Sequence, residues 1–149
     1  MLRQVILSGV ALGLVSGIAL AESEPVIPEE KKRICEKAEK RYQKKYGHPT
    51  AELRKKGIHV VLMYRYTFCP PHVTIRQGET VRWVNVDAAT SHSVWFKEAG
   101  KPESDRVFPD PNEKVEMKFD MPPGDYPYLC GPHWQSDGMM GQVTVLPAK

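Results

Sequence analysis

The sequence predicts an all-β protein, a Greek-key β-sandwich with a short helical N-terminal extension. From residue 58 onward, short segments rich in β-branched and aromatic residues alternate with turns that contain glycine, proline and aspartate. Those segments show no helical repeat of apolar residues, which is confined to residues 28–57. With 149 residues, 41% of them hydrophobic and 26% charged, the chain has the size and composition of one globular domain.

Residues 1–21 have the features of an export signal. Arg3 precedes an uncharged apolar run over residues 5–20, and Ala19 and Ala21 provide the small residues of a cleavage site after Ala21. The alternative is an uncleaved membrane anchor, but the 18 residues from 4 to 21 include three glycines and two serines and are short for a span of about 20 apolar residues. Cleavage predicts a periplasmic protein with no transmembrane span in its mature chain.

Residues 22–57 are expected to form a basic helical extension. Pro28 followed by two glutamates predicts a helix start, and Lys44, Lys45 and Gly47 predict its end. Thr50 is predicted to cap a second, shorter helix that ends near Gly57. Apolar residues recur every four positions along the first helix, and they are Ile34, Ala38, Tyr42 and Tyr46.

Charge is distributed unevenly along the chain. Residues 22–57 carry 11 Lys and Arg against 7 Asp and Glu, a net +4, whereas residues 58–149 carry 9 against 11, a net −2. The whole-chain charge of +3 is too small to indicate nucleic-acid binding. Because glutamates interleave with the lysines, the extension is interpreted as a solvated helix packed on the main domain, with a positive charge suited to steering an acidic partner.

Residues 58–149 are predicted to form the main domain from seven strands. The predicted strands span residues 58–68, 73–76, 80–86, 92–96, 115–119, 126–130 and 142–146. Turns are expected at residues 77–79 and 122–125, where glycine and proline are placed between apolar segments. The aromatic residues expected in the core are Phe68, Trp83, Phe96 and Phe119.

One loop near the C-terminus gathers side chains that bind metals. Cys130 and His133 are three residues apart, and Met139 and Met140 follow before the last predicted strand. Upstream, His92 opens another predicted strand. A thiolate, two imidazoles and a weak axial thioether are the donors of a mononuclear copper site of the blue type. This set of donors suits an ion that changes its oxidation state by one.

Two stretches of this sequence resemble the cupredoxins, particularly plastocyanin and pseudoazurin. Residues 126–133 with 138–145 resemble their copper loop, and residues 73–85 resemble the strand pair before their first ligand histidine. The resemblance implies four copper ligands, which are His92, Cys130, His133 and Met139. Met140 is the alternative axial ligand, because the loop between His133 and Met139 is one residue longer than in plastocyanin.

The resemblance also implies a function in electron transfer. One copper ion per chain would cycle between Cu(II) and Cu(I), and the protein would be a redox carrier rather than an enzyme. The edge of His133 would reach the surface in an apolar patch with Pro132 and Trp134, where a redox partner such as a cytochrome or a copper or haem enzyme would dock.

Other uses of these ligands remain open from the sequence. A periplasmic copper carrier or chaperone would have similar donors but would release the ion readily. A copper enzyme would need an open coordination position or a second metal, which a displaced Met139 would provide. Zinc is disfavoured, since one cysteine with a thioether is a poor structural zinc set.

The remaining cysteines are expected to have a structural role. In an exported chain with three cysteines, assigning Cys130 to the metal leaves Cys35 and Cys69, which we expect to form a disulfide between the extension and the first sheet. Cys69 and His72 repeat the spacing of Cys130 and His133, but two prolines lie between them and lead into a strand. This second pair is therefore interpreted as structural rather than as another metal site.

Overall fold

The computed structural model describes residues 26–149, so the predicted signal peptide and its cleavage site after Ala21 lie outside the described residues. Two mixed sheets face each other, one with the strand order β2-β1-β4-β5 and the other with the order β3-β7-β6. The strands are β1 (Ile58–Tyr64), β2 (Thr67–Cys69), β3 (His72–Arg76), β4 (Thr80–Asn85), β5 (Val115–Lys118), β6 (Gly124–Leu129) and β7 (Met140–Leu146). The helices are α1 (Glu29–Tyr46), α2 (Ala51–Arg54) and α3 (Trp134–Asp137). The sandwich with a helical extension is confirmed.

Each sheet contains one parallel pair of strands and at least one antiparallel pair. β1 runs parallel to β4, with Ile58 opposite Thr80, and β3 runs parallel to β7, with His72 opposite Gln142. β6 and β7 are antiparallel and pair Leu129 with Met140. The loop that joins these two strands therefore starts and ends at the same edge of the sandwich, which brings residues 130–139 together.

The space between the sheets is filled by aromatic side chains. Trp83 lies at the centre and contacts three aromatic rings at centroid distances between 5.4 and 6.5 Å. The four aromatic residues expected in the core are all buried. They pack with Tyr128, and the cluster extends to Cys130 and Met139, so the core is continuous with the loop that contains the candidate ligands.

The single strand predicted over residues 58–68 is instead a hairpin. Arg65 and Tyr66 have φ angles of 47° and 57°, and β1 and β2 pair on either side of them. Two central residues with positive φ are typical of the tight turns that match strand twist, usually with asparagine or glycine. The sequence has neither residue there, so the turn was not anticipated.

The strand predicted over residues 92–96 is also wrong. His92 pairs with Val107, whereas Trp95 pairs with Leu129, and both are isolated bridges. Because the segment divides its backbone hydrogen bonds between two partners, it passes from one neighbour to the next and forms no continuous ladder.

Helix α1 covers the outer face of the first sheet. Ala38 and Tyr42 are buried against the outward side chains of β1 and β4, while Ile34 and Tyr46 are partly buried there. All residues of β1 after Ile58 are consequently buried, because the strand has the sandwich core on one face and α1 on the other. The predicted disulfide between Cys35 and Cys69 is confirmed and joins α1 to β2.

The ends of the two extension helices differ in how well they were predicted. Helix α1 ends as expected at Gly47, which adopts the left-handed conformation with φ 78°. Thr50 does not cap α2 with its side chain. Its hydroxyl donates to Glu39 Oε2 at 2.8 Å, and α2 ends at Arg54. Thr50 therefore links α2 to α1.

Among residues 26–149, no helix is both long and apolar enough to cross a membrane.

Candidate metal centre

Three of the predicted ligands meet at one end of the sandwich. Cys130 directly follows β6, His133 follows in the tight loop that leads to α3, and His92 comes from the segment after β4. Their donor atoms all lie within 4.8 Å of one another. Cys130 Sγ is 3.3 Å from Nδ1 of His133 and 3.8 Å from Nδ1 of His92. Among the described residues, this is the one group of three or more His, Cys, Asp or Glu side chains close enough to hold an ion.

The loop is closed by its own backbone hydrogen bonds. The carbonyl of Cys130 accepts from the N–H groups of His133 and Trp134 at 3.0 and 2.9 Å. Met139 donates to the carbonyl of His133 at 3.2 Å, and its own carbonyl accepts from the N–H of Cys130 at 3.0 Å. Gly138, with φ 63°, allows the chain to turn back after α3. The backbone of Met139 is thus fixed to that of both Cys130 and His133.

The two candidate axial methionines differ sharply in their exposure. Met139 is 1% exposed and packs in the same buried cluster as Cys130. Met140 is 55% exposed and begins β7 on the outside of the molecule. Burial therefore favours Met139 as the methionine on the side of the three donor atoms.

The Cys130 side chain is fully buried and accepts a hydrogen bond. The backbone N–H of Ser93 donates to Sγ at 3.4 Å, and the Ser93 hydroxyl lies 4.0 Å from the same sulfur. That hydroxyl donates to Glu103 Oε1 at 2.6 Å and accepts from the N–H of Gly131 at 2.9 Å. Ser93 and Glu103 thus hold the segment around the thiol in place. The sequence analysis did not identify either residue.

His92 is fully buried between a thiol and a carboxylate. Its Nδ1 faces Cys130, and its Nε2 lies 2.7 Å from Oδ2 of Asp87. Burial alone would lower the pKa of His92, but the hydrogen bonds and charges of Asp87 and Cys130 outweigh it and raise the pKa above its ordinary value. Asp87 was also missed, and its place two residues after the last residue of β4 was the signal available in the sequence.

His133 lies nearer the surface than His92. Its ring packs edge-on against Tyr66 at a centroid distance of 4.9 Å, and Tyr66 is 42% exposed. Partial burial, followed by the charge of His92, lowers the pKa of His133. Pro132 and Trp134 beside it are partly exposed as well. Tyr66 was not predicted at the site because the turn that contains it was not recognised.

The donor set fits a copper ion. Metal–sulfur and metal–nitrogen bonds of about 2.3 and 2.0 Å, separated by tetrahedral or trigonal angles, place the two donors about 3.5 Å apart. The two sulfur–nitrogen separations of 3.3 and 3.8 Å agree with this value. One thiol with two imidazoles is the set that copper prefers in trigonal sites. The other Cys-x-x-His pair cannot compete, since Cys69 is in the disulfide and His72 belongs to β3.

Comparison with known proteins also indicates a copper-binding protein. The family profile of copper binding proteins, plastocyanin/azurin family, matches residues 60–146. The chain is similar to a plastocyanin of Synechococcus sp. (strain JA-2-3B'a(2-13)), with 39% identity over 51% of this chain and 61% of that one. The match therefore spans less than two thirds of that relative. A plastocyanin of Scenedesmus fuscus is 40% identical over 52% of this chain and 85% of its own.

Amicyanins are similar in both sequence and structure. Amicyanin-alpha of Methylorubrum extorquens is 36% identical over 60% of this chain and 72% of that one. The crystal structure of amicyanin from Paracoccus versutus superposes with a TM-score of 0.50 and 32% identity, over 58% of this chain and 79% of that one. The profile match covers more than half of the chain and includes every strand of both sheets except the first two residues of β1. The chain therefore belongs to the plastocyanin/azurin family of copper-binding proteins, the cupredoxins.

Proposed function

We propose that this protein is a periplasmic electron carrier that binds one copper ion through His92, Cys130, His133 and Met139. The observation that carries the proposal is the cluster of one thiol and two imidazole nitrogens within 4.8 Å of one another, with Cys130 and His92 buried and His133 partly buried. Copper bound there would supply one-electron redox chemistry between Cu(II) and Cu(I). The names of the relatives, plastocyanin and amicyanin, support a redox carrier rather than an enzyme.

The surroundings of the donor atoms suit an electron carrier, whose metal site must keep its geometry when the ion changes oxidation state. His92 and Cys130 are fully buried, and the loop from Cys130 to Met139 is closed by backbone hydrogen bonds. Strands β6 and β7 hold both ends of that loop. A donor set fixed in this way changes little when the charge of a bound ion changes, which favours fast electron transfer and opposes ready release of the ion. The rigid loop is our reason for preferring an electron carrier to a copper carrier or chaperone.

His133 is the proposed route between the metal centre and a partner. It is the more exposed of the two histidines, and Pro132, Trp134 and Tyr66 lie around it at the surface. A small apolar patch of this kind suits a transient redox partner. The partner that we propose is a redox protein, such as a cytochrome or a copper or haem enzyme, that docks at this patch.

The proposed location depends on two features of the chain. Residues 1–21 have the pattern of an export signal. The disulfide between Cys35 and Cys69 is the kind of bond that persists in an oxidising compartment such as the periplasm.

The proposal is tested by loading the purified protein with Cu(II) and recording its visible absorption and electron paramagnetic resonance spectra. We expect an intense thiolate-to-copper band that reductant bleaches and oxidant restores. Cys130→Ser should abolish the band. The matched control is the variant Cys35→Ser/Cys69→Ser, which removes the other two cysteines and should retain it. A weak band with ordinary tetragonal copper signals in the unsubstituted protein would contradict the proposal.

The rate of copper release distinguishes an electron carrier from a copper carrier or chaperone. We expect the loaded protein to transfer copper slowly to a chelator while exchanging electrons rapidly with a small inorganic oxidant. Fast release with slow electron exchange would favour the chaperone. Binding of an exogenous ligand such as azide to the loaded protein would indicate an open coordination position and favour an enzyme.

A further inference from the structure

Asp87 is the carboxylate closest to the buried histidine of the site. Its Oδ2 lies 2.7 Å from Nε2 of His92, and the Asp87 side chain is only 12% exposed. A carboxylate accepts hydrogen bonds, so this contact favours the tautomer of neutral His92 that bears its proton on Nε2. Nδ1, which faces Cys130, then carries the free lone pair. The hydrogen bond thus orients the imidazole and leaves the correct nitrogen available to a metal ion.

Asp87 is itself held by two neighbouring segments. The backbone N–H of Arg65, in the turn between β1 and β2, donates to the same Oδ2 at 3.0 Å. The backbone N–H of Asp87 donates to Oδ1 of Asn85 at 2.9 Å. Asn85 is fully buried, and its amide donates to the carbonyls of Thr90 and Val107 at 2.7 and 2.8 Å. These bonds fix the Asp87 backbone and carboxylate relative to the segment that contains His92.

A further contact comes from helix α1. Arg41 Nε donates to the carbonyl of Val86 at 2.6 Å, which fixes the peptide group immediately before Asp87. Four residues later along the helix, Lys45 Nζ donates to the carbonyl of Pro109 at 2.8 Å. Helix α1 lies outside residues 60–146, the part of the chain that matches the family. A helix outside the family match therefore contacts the segment that orients a candidate ligand.

We propose that Asp87 is a positioning residue for His92, and that Arg41 couples the N-terminal extension to the metal centre by fixing the segment that contains Asp87. The part concerning copper rests on the proposed function. The part concerning the imidazole does not, because the hydrogen bonds belong to the protein alone.

The first experiment uses the metal-free protein. Nitrogen-15 NMR at one alkaline pH, where imidazoles are neutral, reports which nitrogen of His92 bears the proton. We expect the Nε2–H tautomer in the unsubstituted chain and a mixture or the other tautomer in Asp87→Ala, which has no side-chain acceptor. Asp120→Ala is the matched control, since Asp120 is exposed and its carboxylate pairs with Lys118 at the surface. An unchanged His92 tautomer in Asp87→Ala would overturn the proposal.

The second experiment measures Cu(II) and Cu(I) affinity by separate titrations. Loss of a carboxylate behind a ligand histidine typically weakens metal binding by about 10–100-fold. We expect Cu(II) to be affected more, since the carboxylate makes the imidazole a stronger donor. A tenfold preferential loss of Cu(II) affinity raises the reduction potential by about 59 mV. Equal affinities in Asp87→Ala and the unsubstituted protein would overturn the copper part.

The coupling through α1 is tested with Arg41→Gln. We expect a change in the same direction as in Asp87→Ala but smaller, in both the His92 tautomer and the ratio of the two affinities. Arg33→Gln is the matched control on the same helix, because Arg33 is exposed and pairs with Glu29 on α1 itself. If Arg41→Gln behaves like Arg33→Gln, the coupling is refuted and Asp87 acts without the extension.

The outcomes separate this inference from the proposed function. If the unsubstituted protein shows no thiolate-to-copper band, the proposed function fails, and the tautomer measurement still decides the role of Asp87. Thermal unfolding of each variant distinguishes loss of fold from loss of positioning. Should Asp87→Ala not fold, Asp87→Glu takes its place, and we expect this variant to retain the Nε2–H tautomer. Another tautomer in a folded Asp87→Glu would count against the proposal.

Discussion

The carboxylate of Glu103 occupies the space that a side chain at Gly131 would need. A Cβ atom at Gly131 would overlap all three terminal atoms of Glu103, whose Oε1 accepts the hydrogen bond from the buried Ser93 hydroxyl. A side chain at position 131 would therefore displace the end of the exposed Glu103 side chain, and its cost would come from the lost contact with Ser93 rather than from the backbone conformation of Gly131.

Gly131→Ala is expected to displace Glu103 and leave the Ser93 hydroxyl without its acceptor. The loss of this hydrogen bond should destabilise the metal-free protein by about 1–3 kcal/mol. Denaturant unfolding measures the effect. Glu103→Ala provides the control, because in that background the same glycine substitution meets no carboxylate and should cost less. Equal costs in the two backgrounds would show that the overlap with Glu103 is not the cause.

The two adjacent methionines should respond differently to leucine. Met139→Leu keeps the volume of a buried side chain, so the fold should lose less than about 1.5 kcal/mol, while the absorption spectrum and potential of the copper-loaded protein change. Met140→Leu, at an exposed position, should leave both unchanged. Visible spectroscopy and voltammetry on the pair test the axial ligand. The reverse result would assign Met140.

Glu79 should make the stability of the protein depend on pH. Burial alone would raise its pKa, but a hydrogen bond from the N–H of Arg76, a hydrogen bond from His59, and the charges of both residues outweigh burial and hold it below 4.5. The unfolded chain then takes up a proton before the folded one as pH falls. The stabilisation is present above pH 4.5 and is lost as pH drops through the folded pKa.

Glu79→Gln tests this dependence. Unfolding experiments between neutral and acidic pH should show a smaller loss of stability in the variant than in the unsubstituted protein. The effect should be modest, because the Glu79 side chain is 32% exposed and solvent weakens its interactions. Identical pH profiles for the two proteins would contradict the predicted contribution of Glu79.

Removing the disulfide should destabilise the protein substantially. The bond between Cys35 and Cys69 closes a loop with a sequence separation of 34 residues, for which the chain-entropy account gives about 3–4 kcal/mol. The free energy of unfolding of the variant Cys35→Ala/Cys69→Ala should be lower by this amount, and its denaturant midpoint should fall accordingly. As a check on the bond itself, mass spectrometry of the unreduced, denatured protein after treatment with a thiol reagent should show one label, on Cys130.

The sequence patterns predicted the elements whose signals are local. The start and end of α1, its apolar stripe and most strands follow from proline, glycine and residue periodicity, and they are found close to the predicted positions. The three clustered donors were also identified, because Cys130 and His133 lie in one short loop and His92 precedes a recognisable apolar segment.

Features set by irregular backbone conformation were not predicted. The hairpin turn at Arg65 and Tyr66 uses positive φ angles without asparagine or glycine, so no residue type marked it. Asp87 and Glu103 are 5 and 10 residues from the side chains that they contact, His92 and Ser93, but the chain between them is irregular. The position of Asp87 just after β4 marked it as a loop residue, but no repeat or spacing in the sequence indicated that it would contact His92.

The helix that covers β1 also decides which part of this chain is able to fold alone. Without α1, the outward side chains of Val60, Leu62, Tyr64 and Val84 would lose their cover and form an apolar surface. A fragment cut at the limits of the family match would therefore tend to aggregate. A segment suited to transplantation into a fusion protein must therefore include α1 and the disulfide that joins it to β2, and any test of the basic extension should exchange its exposed lysines rather than delete it.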